Sequence, residues 1–269
     1  MNKILLIGCG HMGEALLKAW TKNNKDLFFI VDPIKYKKIN KNFDTKVVGL
    51  ESIDGFKNFR LINIVIFAIK PQVTRNTLKV LEKKKFKKNV IFVSIVAGKK
   101  INFYNKYLPN KNQFIRIMPN MPALINKGMS CLFANQHTSN KNKNIIESLF
   151  LNVGKVMWLK KENDINKVTA ISGSGPGYIF LFIDAFEKAA MQLGLGEKVT
   201  KELVHQTIYG SINLLLSQKE NASILVKNIA VKGGTTEAGL NEFTKKNILY
   251  KSFKKAIEFA YKRANELGK

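Results

Sequence analysis

The segment VKGGTTEAGL places two glycines directly before two threonines. Gly233 and Gly234 are expected to turn successive backbone N–H groups toward one point, where Thr235 and Thr236 begin a helix. Glu237 would lie in the first turn, where an acid complements the helix dipole. Such a loop binds a small anion such as a carboxylate, and a neighbouring hydroxyl can hydrogen-bond another atom of the ligand. The segment therefore predicts a substrate-binding loop.

The segment GCGHMG follows the first apolar run of the chain and precedes a predicted helix. In this pattern the first glycine permits a tight turn, the second lets the backbone approach a pyrophosphate, and the third lets helix and strand pack closely. Its place between a strand and a helix makes it a specific signal for dinucleotide binding. His11 and Met12 are interpreted as packing residues and Cys9 as inert, although a helix N-terminus can lower the pKa of a thiol.

Asp32 ends the second predicted strand, 24 positions after Gly8. An acid at about this spacing usually bonds the ribose hydroxyls of the adenosine and favours NAD(H). Lys35, Lys37 and Lys38 follow at once and could neutralise the 2′-phosphate of NADP(H). The two signals conflict, so the residues themselves leave NADPH and NADH open.

Nearly continuous apolar runs alternate with helical segments through the first half of the chain. They predict strands at residues 3–8, 27–31, 62–68, 89–95 and 113–118, followed by two shorter runs, SCLFA and KVMWL. This pattern is typical of a parallel sheet buried on both faces, the core of an α/β doubly wound domain. From Asp164 onward only helical periodicity is present. We therefore predict two domains, an α/β domain at residues 1–163 and an all-α domain at residues 164–269.

Four loop segments accompany these elements. FAIKPQ and IVAG each close a predicted strand, at the edge of the sheet that faces the ligand crevice in such folds. RIMPNMP brackets Asn120 between two prolines, which suits either a loop shaped against a ligand or a rigid connection between domains. ISGSGPGY leads into a helix with Pro176 at its start, either as a second anion site or as a close-packed beginning of the helix.

The net charge of +26 raises the question of nucleic-acid binding. Only four of the 45 basic residues are arginine, and the lysines are scattered through the chain. Nucleic-acid sites favour clustered patches rich in arginine, often with aromatic stacking partners. The charge is therefore interpreted as a solvated lysine surface, with no nucleic-acid partner, that can help to attract acidic substrates and cofactors.

The remaining composition bears on metals and on location. Cys9 and Cys131 have neither metal-ligand spacing nor a pattern of disulfide pairs, so no metal site is expected. The N-terminal segment lacks the cleavage pattern of a signal peptide. The apolar run YIFLFIDAF is interrupted by Asp184 and is too short to span a bilayer. A reducing cytoplasm without a membrane partner is the expected location.

Together these segments resemble those of the pyrroline-5-carboxylate reductase family, in order and along essentially the full chain: GCGHMG, FAIKPQ, RIMPNMP, DINKVTAISGSGPGY and GGTTEAGL. The last two are the most specific, since other nicotinamide enzymes share only the first. The resemblance implies reduction of 1-pyrroline-5-carboxylate to L-proline with NADPH or NADH, the last step of proline biosynthesis. It also implies a Rossmann domain followed by a helical domain that intertwines with a second subunit, so that homodimers form and can assemble further.

The resemblance also implies which residues bind the cofactor. By position, the pyrophosphate would be held by Gly8, Cys9, Gly10, His11, Met12 and Gly13. Asp32 stands where the adenosine ribose or its 2′-phosphate is recognised. The next contact segment matches Ala68, Ile69, Lys70 and Pro71. A last one, near the nicotinamide, matches Val96 and Ala97.

For the substrate, the resemblance places the carboxylate on Gly233, Gly234 and Thr235 and the ring nitrogen against the catalytic residue, Thr236. Because no His or Asp in these motifs is an evident acid, catalysis is expected mainly by positioning, with the nitrogen protonated from solvent or through Thr236. The chain departs from the family in one place. A Ser-Pro pair is common before the glycines, whereas Val231-Lys232 stands here.

Three other functions compete with this interpretation. Another imine reductase or a β-hydroxyacid dehydrogenase would share the Rossmann-plus-helices plan, but the latter is expected to carry a catalytic lysine early in its first long helix. Here Lys188 follows only after three helical turns. A non-catalytic NAD(P) sensor would need GCGHMG but not GGTT. A basic polyanion-binding protein would explain neither segment.

Overall fold

The computed structural model describes residues 1–23, 25–109, 111–218 and 220–268. They form two compact units, one of Met1–Pro176 together with Ala260–Lys269, the other of Gly177–Phe259. The division predicted from the sequence, at residues 163 and 164, stays a prediction.

The first unit is built on one sheet of eight strands within the described part of the chain, in the order β3-β2-β1-β4-β5-β6-β7-β8. Neighbouring strands are parallel except for the antiparallel pair β6 and β7. The strands are β1 (Lys3–Ile7), β2 (Leu27–Val31), β3 (Val47–Leu50), β4 (Ile64–Phe67), β5 (Ile91–Ser94), β6 (Gln113–Met118), β7 (Gly128–Ala134) and β8 (Gly154–Trp158).

Alternation along the strands buries both faces of the sheet, as the apolar runs predicted. Ile4 and Leu6 of β1 join one core cluster, while Leu5 and Ile7 join the other. The predicted α/β doubly wound fold is therefore confirmed. β3 was not predicted because its four residues follow a polar stretch, and apolar runs alone do not indicate that β7 runs antiparallel to β6.

Helices cover the two faces of this sheet. They are α1 (His11–Asn23), α2 (Tyr36–Asn42), α3 (Thr74–Glu82), α4 (Ile101–Tyr104), α5 (Asn140–Leu151) and α6 (Asp164–Val168). Trp20 of α1 is fully buried, and its indole N–H donates to the carbonyl of Leu149, 2.8 Å away. This bond ties α1, the helix that follows the glycine segment, to α5.

The rest of the chain is helical, as predicted: beyond Trp158 the described residues form no strand. Its long helices are α7 (Gly175–Met191), α8 (Glu197–Ser217), α9 (Ala222–Ile229), α10 (Thr235–Thr244) and α11 (Ile248–Glu266). No described residue of α7 is buried, and Phe180 and Leu181 are 58% and 69% exposed. Within the described ranges, no helix is both long and apolar enough to cross a membrane.

Candidate active site

The glycine segment joins β1 to α1 and has the packing that its pattern predicts. Gly8 has a φ of +93°, and a Cβ added to it would lie 2.6 Å from the carbonyl oxygen of Ala68. A Cβ added to Gly13 would lie 2.7 Å from the carbonyl oxygen of Gly8. At Gly10 an added Cβ would meet nothing within 4 Å. Gly8 and Gly13 therefore keep the turn tight, while Gly10 leaves open space beside the backbone.

Two cavities meet at this open space. A cavity of about 640 Å³ extends along the end of β2 and is lined by Val31, Asp32 and Pro33, among others. A cavity of about 530 Å³ extends toward the end of β6 and is lined by Met118 and residues that follow it. The residues that line both are Gly10, Ala68, Ile69 and Lys70. Two cavities joined at a glycine-rich turn fit the two halves of an extended dinucleotide.

Asp32 lies in the larger cavity, but its carboxylate is engaged with the backbone. Oδ2 accepts the N–H of Cys9 at 2.8 Å, and Oδ1 accepts the N–H groups of Ile34 and Lys35 at 3.0 and 2.9 Å. Asp32 thus fastens the glycine segment to the turn between β2 and α2. Spacing in the sequence indicated an acid at this place, but could not indicate that both oxygens accept from the main chain.

The lysines beyond Asp32 differ in how far their charge is engaged. Lys35 Nζ is 2.7 Å from Glu14 Oε2, and Lys18 also pairs with Glu14. These two ammonium groups lower the pKa of Glu14 to about 2, with the Lys35 hydrogen bond as the largest cause. The ammonium of Lys37 lies over the ring of Tyr36. Lys38 and Lys35 line a smaller cavity of about 240 Å³ next to Cys9.

Changing Asp32 to asparagine tests what the carboxylate does. We expect the Kd for NADPH and for NADH to rise by a similar factor of about ten, because an amide N–H cannot accept from Cys9 and a charge-assisted hydrogen bond contributes about 1.5–3 kcal/mol. Cofactor fluorescence titration measures both constants. Asp44→Asn is the matched control, since the Asp44 carboxylate accepts one N–H in an exposed turn, that of Lys46. Loss of NADH binding alone would instead mean that Asp32 recognises the ribose.

The turn after β5, Ile95 to Gly98, is here named the cofactor turn, after the role that the family resemblance implies for it. Val96 is buried in the core, and its N–H donates to Ser94 Oγ at 3.1 Å. Ser94 Oγ in turn lies 2.6 Å from the hydroxyl of buried Tyr104, whose pKa is raised by burial. It is Ile95 that lines the 530 Å³ cavity. The sequence indicated Val96 and Ala97 in this turn, but not that Ile95 forms part of the cavity wall.

The segment RIMPNMP ends β6, and four of its residues line the same cavity: Met118, Pro119, Asn120 and Met121. The Asn120 amide donates to the carbonyl oxygen and to Oγ of Ser172, both at 3.2 Å, and its Oδ1 accepts the N–H of Met129 at 2.8 Å. Gly173, beside Ser172, lines the cavity too. The cavity lining fits a loop shaped against a ligand and the bonds to Ser172 fit a rigid connection, so both predicted roles stay predictions.

The glycines before α10 differ in detail from the expectation. Thr235 and Thr236 begin the helix with Glu237 in its first turn, as predicted. The N–H of Gly233 donates to Glu237 Oε2 at 2.7 Å, whereas that of Gly234 donates to the carbonyl of Val231 at 2.9 Å. The prediction that both glycine N–H groups turn to one point is therefore wrong, because a carboxylate of the first turn can reach back to Gly233.

The two threonines keep their donors available. Thr235 and Thr236 are exposed, and within the described part of the chain neither their backbone N–H groups nor their hydroxyls have a hydrogen-bond partner. The first N–H groups of a helix have no partner inside the helix and carry its positive dipole end. This helix start thus offers two N–H donors and two hydroxyls to a small anionic ligand.

The other nucleophilic and titratable side chains with a possible chemical role are protonated or ion-paired. Burial, the largest cause, raises the pKa of the Cys9 thiol to about 11, so it is protonated at neutral pH rather than activated by the helix N-terminus. Lys188 pairs with Asp184 at 2.7 Å, and His205 Nε2 lies 2.6 Å from Glu187 Oε1. Among the described residues, no three or more His, Cys, Asp or Glu side chains are grouped so that they could hold a metal ion.

Two family models match the chain. The model described as pyrroline-5-carboxylate reductase dimerisation matches residues 162–267, and the model described as NADP oxidoreductase, coenzyme F420-dependent, matches residues 3–98. Among curated proteins, the pyrroline-5-carboxylate reductase of Haemophilus influenzae is 30% identical over 267 residues, which cover 98% of this chain and 97% of that protein.

Solved structures of similar proteins agree over the full length. The Plasmodium falciparum pyrroline carboxylate reductase with NADP bound has a TM-score of 0.87 at 26% identity, covering 100% of this chain and 98% of that one. The 1-pyrroline-5-carboxylate reductase of Streptococcus pyogenes has a TM-score of 0.88 at 28% identity, covering 98% of each chain.

Proposed function

The chain belongs to the pyrroline-5-carboxylate reductase family, and from this premise we infer that it reduces 1-pyrroline-5-carboxylate to L-proline with NAD(P)H. One observation carries the inference: the likeness to reductases extends over the whole chain, from the glycine segment through the dimerisation model. Reduction of 1-pyrroline-5-carboxylate is the last step of proline biosynthesis. The reaction adds one hydride to the imine carbon and one proton to the ring nitrogen.

The cofactor residues are proposed on the geometry of the glycine segment. Open space at Gly10, with a cavity on either side, suits a pyrophosphate lying against the start of α1. The proposed contacts are those expected from the family: Gly8 to Gly13, Asp32, Ala68 to Pro71, Val96 and Ala97. When bound, the reduced nicotinamide supplies the hydride. Asp32 would act through the main chain, since its carboxylate positions the turn that approaches the pyrophosphate.

For the substrate we propose that the start of α10 binds the carboxylate. The free N–H groups of Thr235 and Thr236 are the strongest donors there, because they combine hydrogen bonding with the helix dipole. Gly233 can contribute its N–H only after Glu237 releases it. Substrate binding would therefore replace one carboxylate by another at Gly233, and Glu237 would move away from the incoming charge.

Thr236 is the proposed catalytic residue. Its hydroxyl is free to donate a hydrogen bond to the ring nitrogen, which fixes the imine carbon for hydride transfer and stabilises the electron pair that the nitrogen gains. No carboxylic acid or imidazole is assigned the proton, which would come from solvent or through the Thr236 hydroxyl. Positioning then accounts for most of the rate enhancement, since two well-oriented reactants can gain about 7–11 kcal/mol.

The test is an assay of the purified protein with 1-pyrroline-5-carboxylate, following the loss of reduced-cofactor absorbance with NADPH and NADH in parallel. Imine-dependent oxidation supports the proposed reaction, and the ratio of the two rates gives the cofactor preference. No turnover with either cofactor, while both still bind, would favour a non-catalytic sensor or a different imine. Turnover of a β-hydroxyacid instead would overturn the substrate assignment.

We also propose a homodimer, which can assemble further, located in the cytoplasm. The support is the dimerisation model at residues 162–267 and the exposed apolar surface of α7. In a two-fold dimer each residue of that surface is buried twice. Two free, buried cysteines suit a reducing compartment.

Leu181→Glu tests this association. The Leu181 side chain is 69% exposed in the single chain. Burying a leucine contributes about 1.5–3 kcal/mol, and a dimer would lose this contribution once in each subunit. Association should therefore weaken at least about 100-fold. Analytical ultracentrifugation over a concentration series measures the shift toward monomer. Leu61→Glu, at a 46% exposed leucine outside the helical region, is the matched control. Equal masses for both variants would contradict a role for α7.

A further inference from the structure

The cofactor turn contacts the two residues that follow α11. Gly98 is buried with a φ of +79°, and a Cβ added to it would lie 2.8 Å from the backbone N of Gly268 and from atoms of Leu267. A Cβ added to Gly268 would lie 2.7 Å from the carbonyl oxygen of Gly98. The two backbones are therefore in direct contact, and each glycine is needed for the other to approach.

A side-chain hydrogen bond with one buried partner holds the end of α11 in this place. The side-chain amide of Asn166, on α6, donates to Oδ1 of Asn265 at 2.9 Å, and Asn166 is 2% exposed. Ala264 is 3% exposed, although most of the helix around it is open to solvent. The last turn of α11 is thus packed within the first unit, to which residues 260–268 belong.

The other side of the cofactor turn is equally fixed. Below it, Ser94 Oγ accepts the N–H of Val96 and contacts the hydroxyl of Tyr104. Beyond it, the N–H of Ile101 donates to Glu162 Oε1 at 2.7 Å, and the buried Arg116 pairs with the same oxygen at 3.0 Å. With these contacts on two sides, a displacement at Gly98 has to be absorbed within the turn itself, where Ile95 lines the 530 Å³ cavity.

We propose that the end of α11 and the two residues after it, Leu267 and Gly268, form a positioning element for the cofactor, with Gly268 setting the place of the cofactor turn through Gly98. This rests on the proposed function, which puts the nicotinamide beside that turn. Neither Gly268 nor Asn265 touches the reacting atoms in this account. They act through the main chain of residues 96–98, because a small shift there changes the surface against which the nicotinamide lies.

Gly268→Ala tests the proposal. The added Cβ forces the Gly98 carbonyl to move, so the KM and the fluorescence-titrated Kd for NADPH should rise about threefold to tenfold, since misplacement by about 1 Å can cost 100-fold. The KM for the imine at saturating NADPH should stay unchanged. Asn265→Ala, which loses only the anchoring hydrogen bond, should shift both NADPH constants in the same direction by less, and Asn265→Asp, which keeps the accepting oxygen, should restore them.

Glu266→Ala is the control, because Glu266 lies on the same turn and is exposed in an ion pair with Arg263. It should leave every constant at the wild-type value. If Gly268 has a purely structural role, Gly268→Ala would lower kcat and the melting temperature but leave the KM and the Kd for NADPH unchanged. That result would overturn the proposal. The Kd titration needs no turnover. If the wild-type protein did not reduce the imine, the proposed reaction would be wrong, but the shift in Kd for NADPH would still decide the role of Gly268.

Discussion

Replacing Thr236 by alanine is expected to lower kcat/KM for 1-pyrroline-5-carboxylate about 100-fold while leaving the Kd for NADPH unchanged. Removing one pre-positioned donor from a developing charge costs about 10²–10³ in rate in comparable sites. The hydroxyl of Thr236 has no hydrogen-bond partner within the described part of the chain, so its removal breaks no internal bond. Steady-state kinetics with the imine, together with titration of NADPH fluorescence, measure the two quantities.

Two further variants separate chemistry from folding at this helix. Thr236→Ser keeps a hydroxyl at the same place and should recover most of the lost rate. Thr244→Ala removes a hydroxyl from the last turn of the same helix, where it bonds only the helix backbone at Leu240 and Asn241, and should leave kcat/KM unchanged. If Thr236→Ala also abolished NADPH binding, the assignment of Thr236 to the substrate would be wrong.

Much of the fold could be predicted because its physical signals are local. Five of the predicted strands coincide closely with β1, β2, β4, β5 and β6, since a strand buried on both faces must be apolar at nearly every position. β3 was not predicted because this short edge strand follows a polar stretch and only alternate residues, such as Val47 and Gly49, are buried. The contact of the residues after α11 with the cofactor turn could not be predicted, because Gly98 and Gly268 are far apart in sequence and their closeness depends on the whole fold.

At the candidate site, too, the sequence pattern predicted the positions of residues but not the geometry of their contacts. The glycine pattern predicted which positions need to lack a side chain, and Gly8, Gly10 and Gly13 have the packing it requires. The sequence could not indicate hydrogen-bond direction. Spacing predicted that Asp32 lies where the adenosine ribose or its 2′-phosphate is recognised, but it did not indicate that both carboxylate oxygens accept backbone N–H groups. Glu237 was placed correctly in its turn, but its reach back to Gly233 depends on a side-chain conformation that spacing does not fix.

Gly10→Ala is expected to raise the Kd for both NADPH and NADH at least about 100-fold without lowering the melting temperature. An added Cβ meets no protein atom within 4 Å, and the φ of Gly10 is not positive, so the folded chain accepts alanine. The methyl group would instead occupy the space between the two cavities, where the backbone has to approach the pyrophosphate closely. Fluorescence titration and thermal unfolding of the same preparation measure the two effects.

Gly13→Ala is the informative contrast, because its Cβ would lie 2.7 Å from the Gly8 carbonyl oxygen and has to displace the turn. Overpacking of this kind destabilises by about 1–3 kcal/mol, so this variant should lose melting temperature together with cofactor affinity. If Gly10→Ala behaved like Gly13→Ala, the glycine would serve the fold and the open space would have no bearing on binding. If it kept both stability and affinity, the pyrophosphate would have to lie away from Gly10. The cofactor lies against this turn only if Gly10→Ala loses affinity for NADPH and NADH and keeps its melting temperature. The added methyl group then blocks the ligand without disturbing the fold.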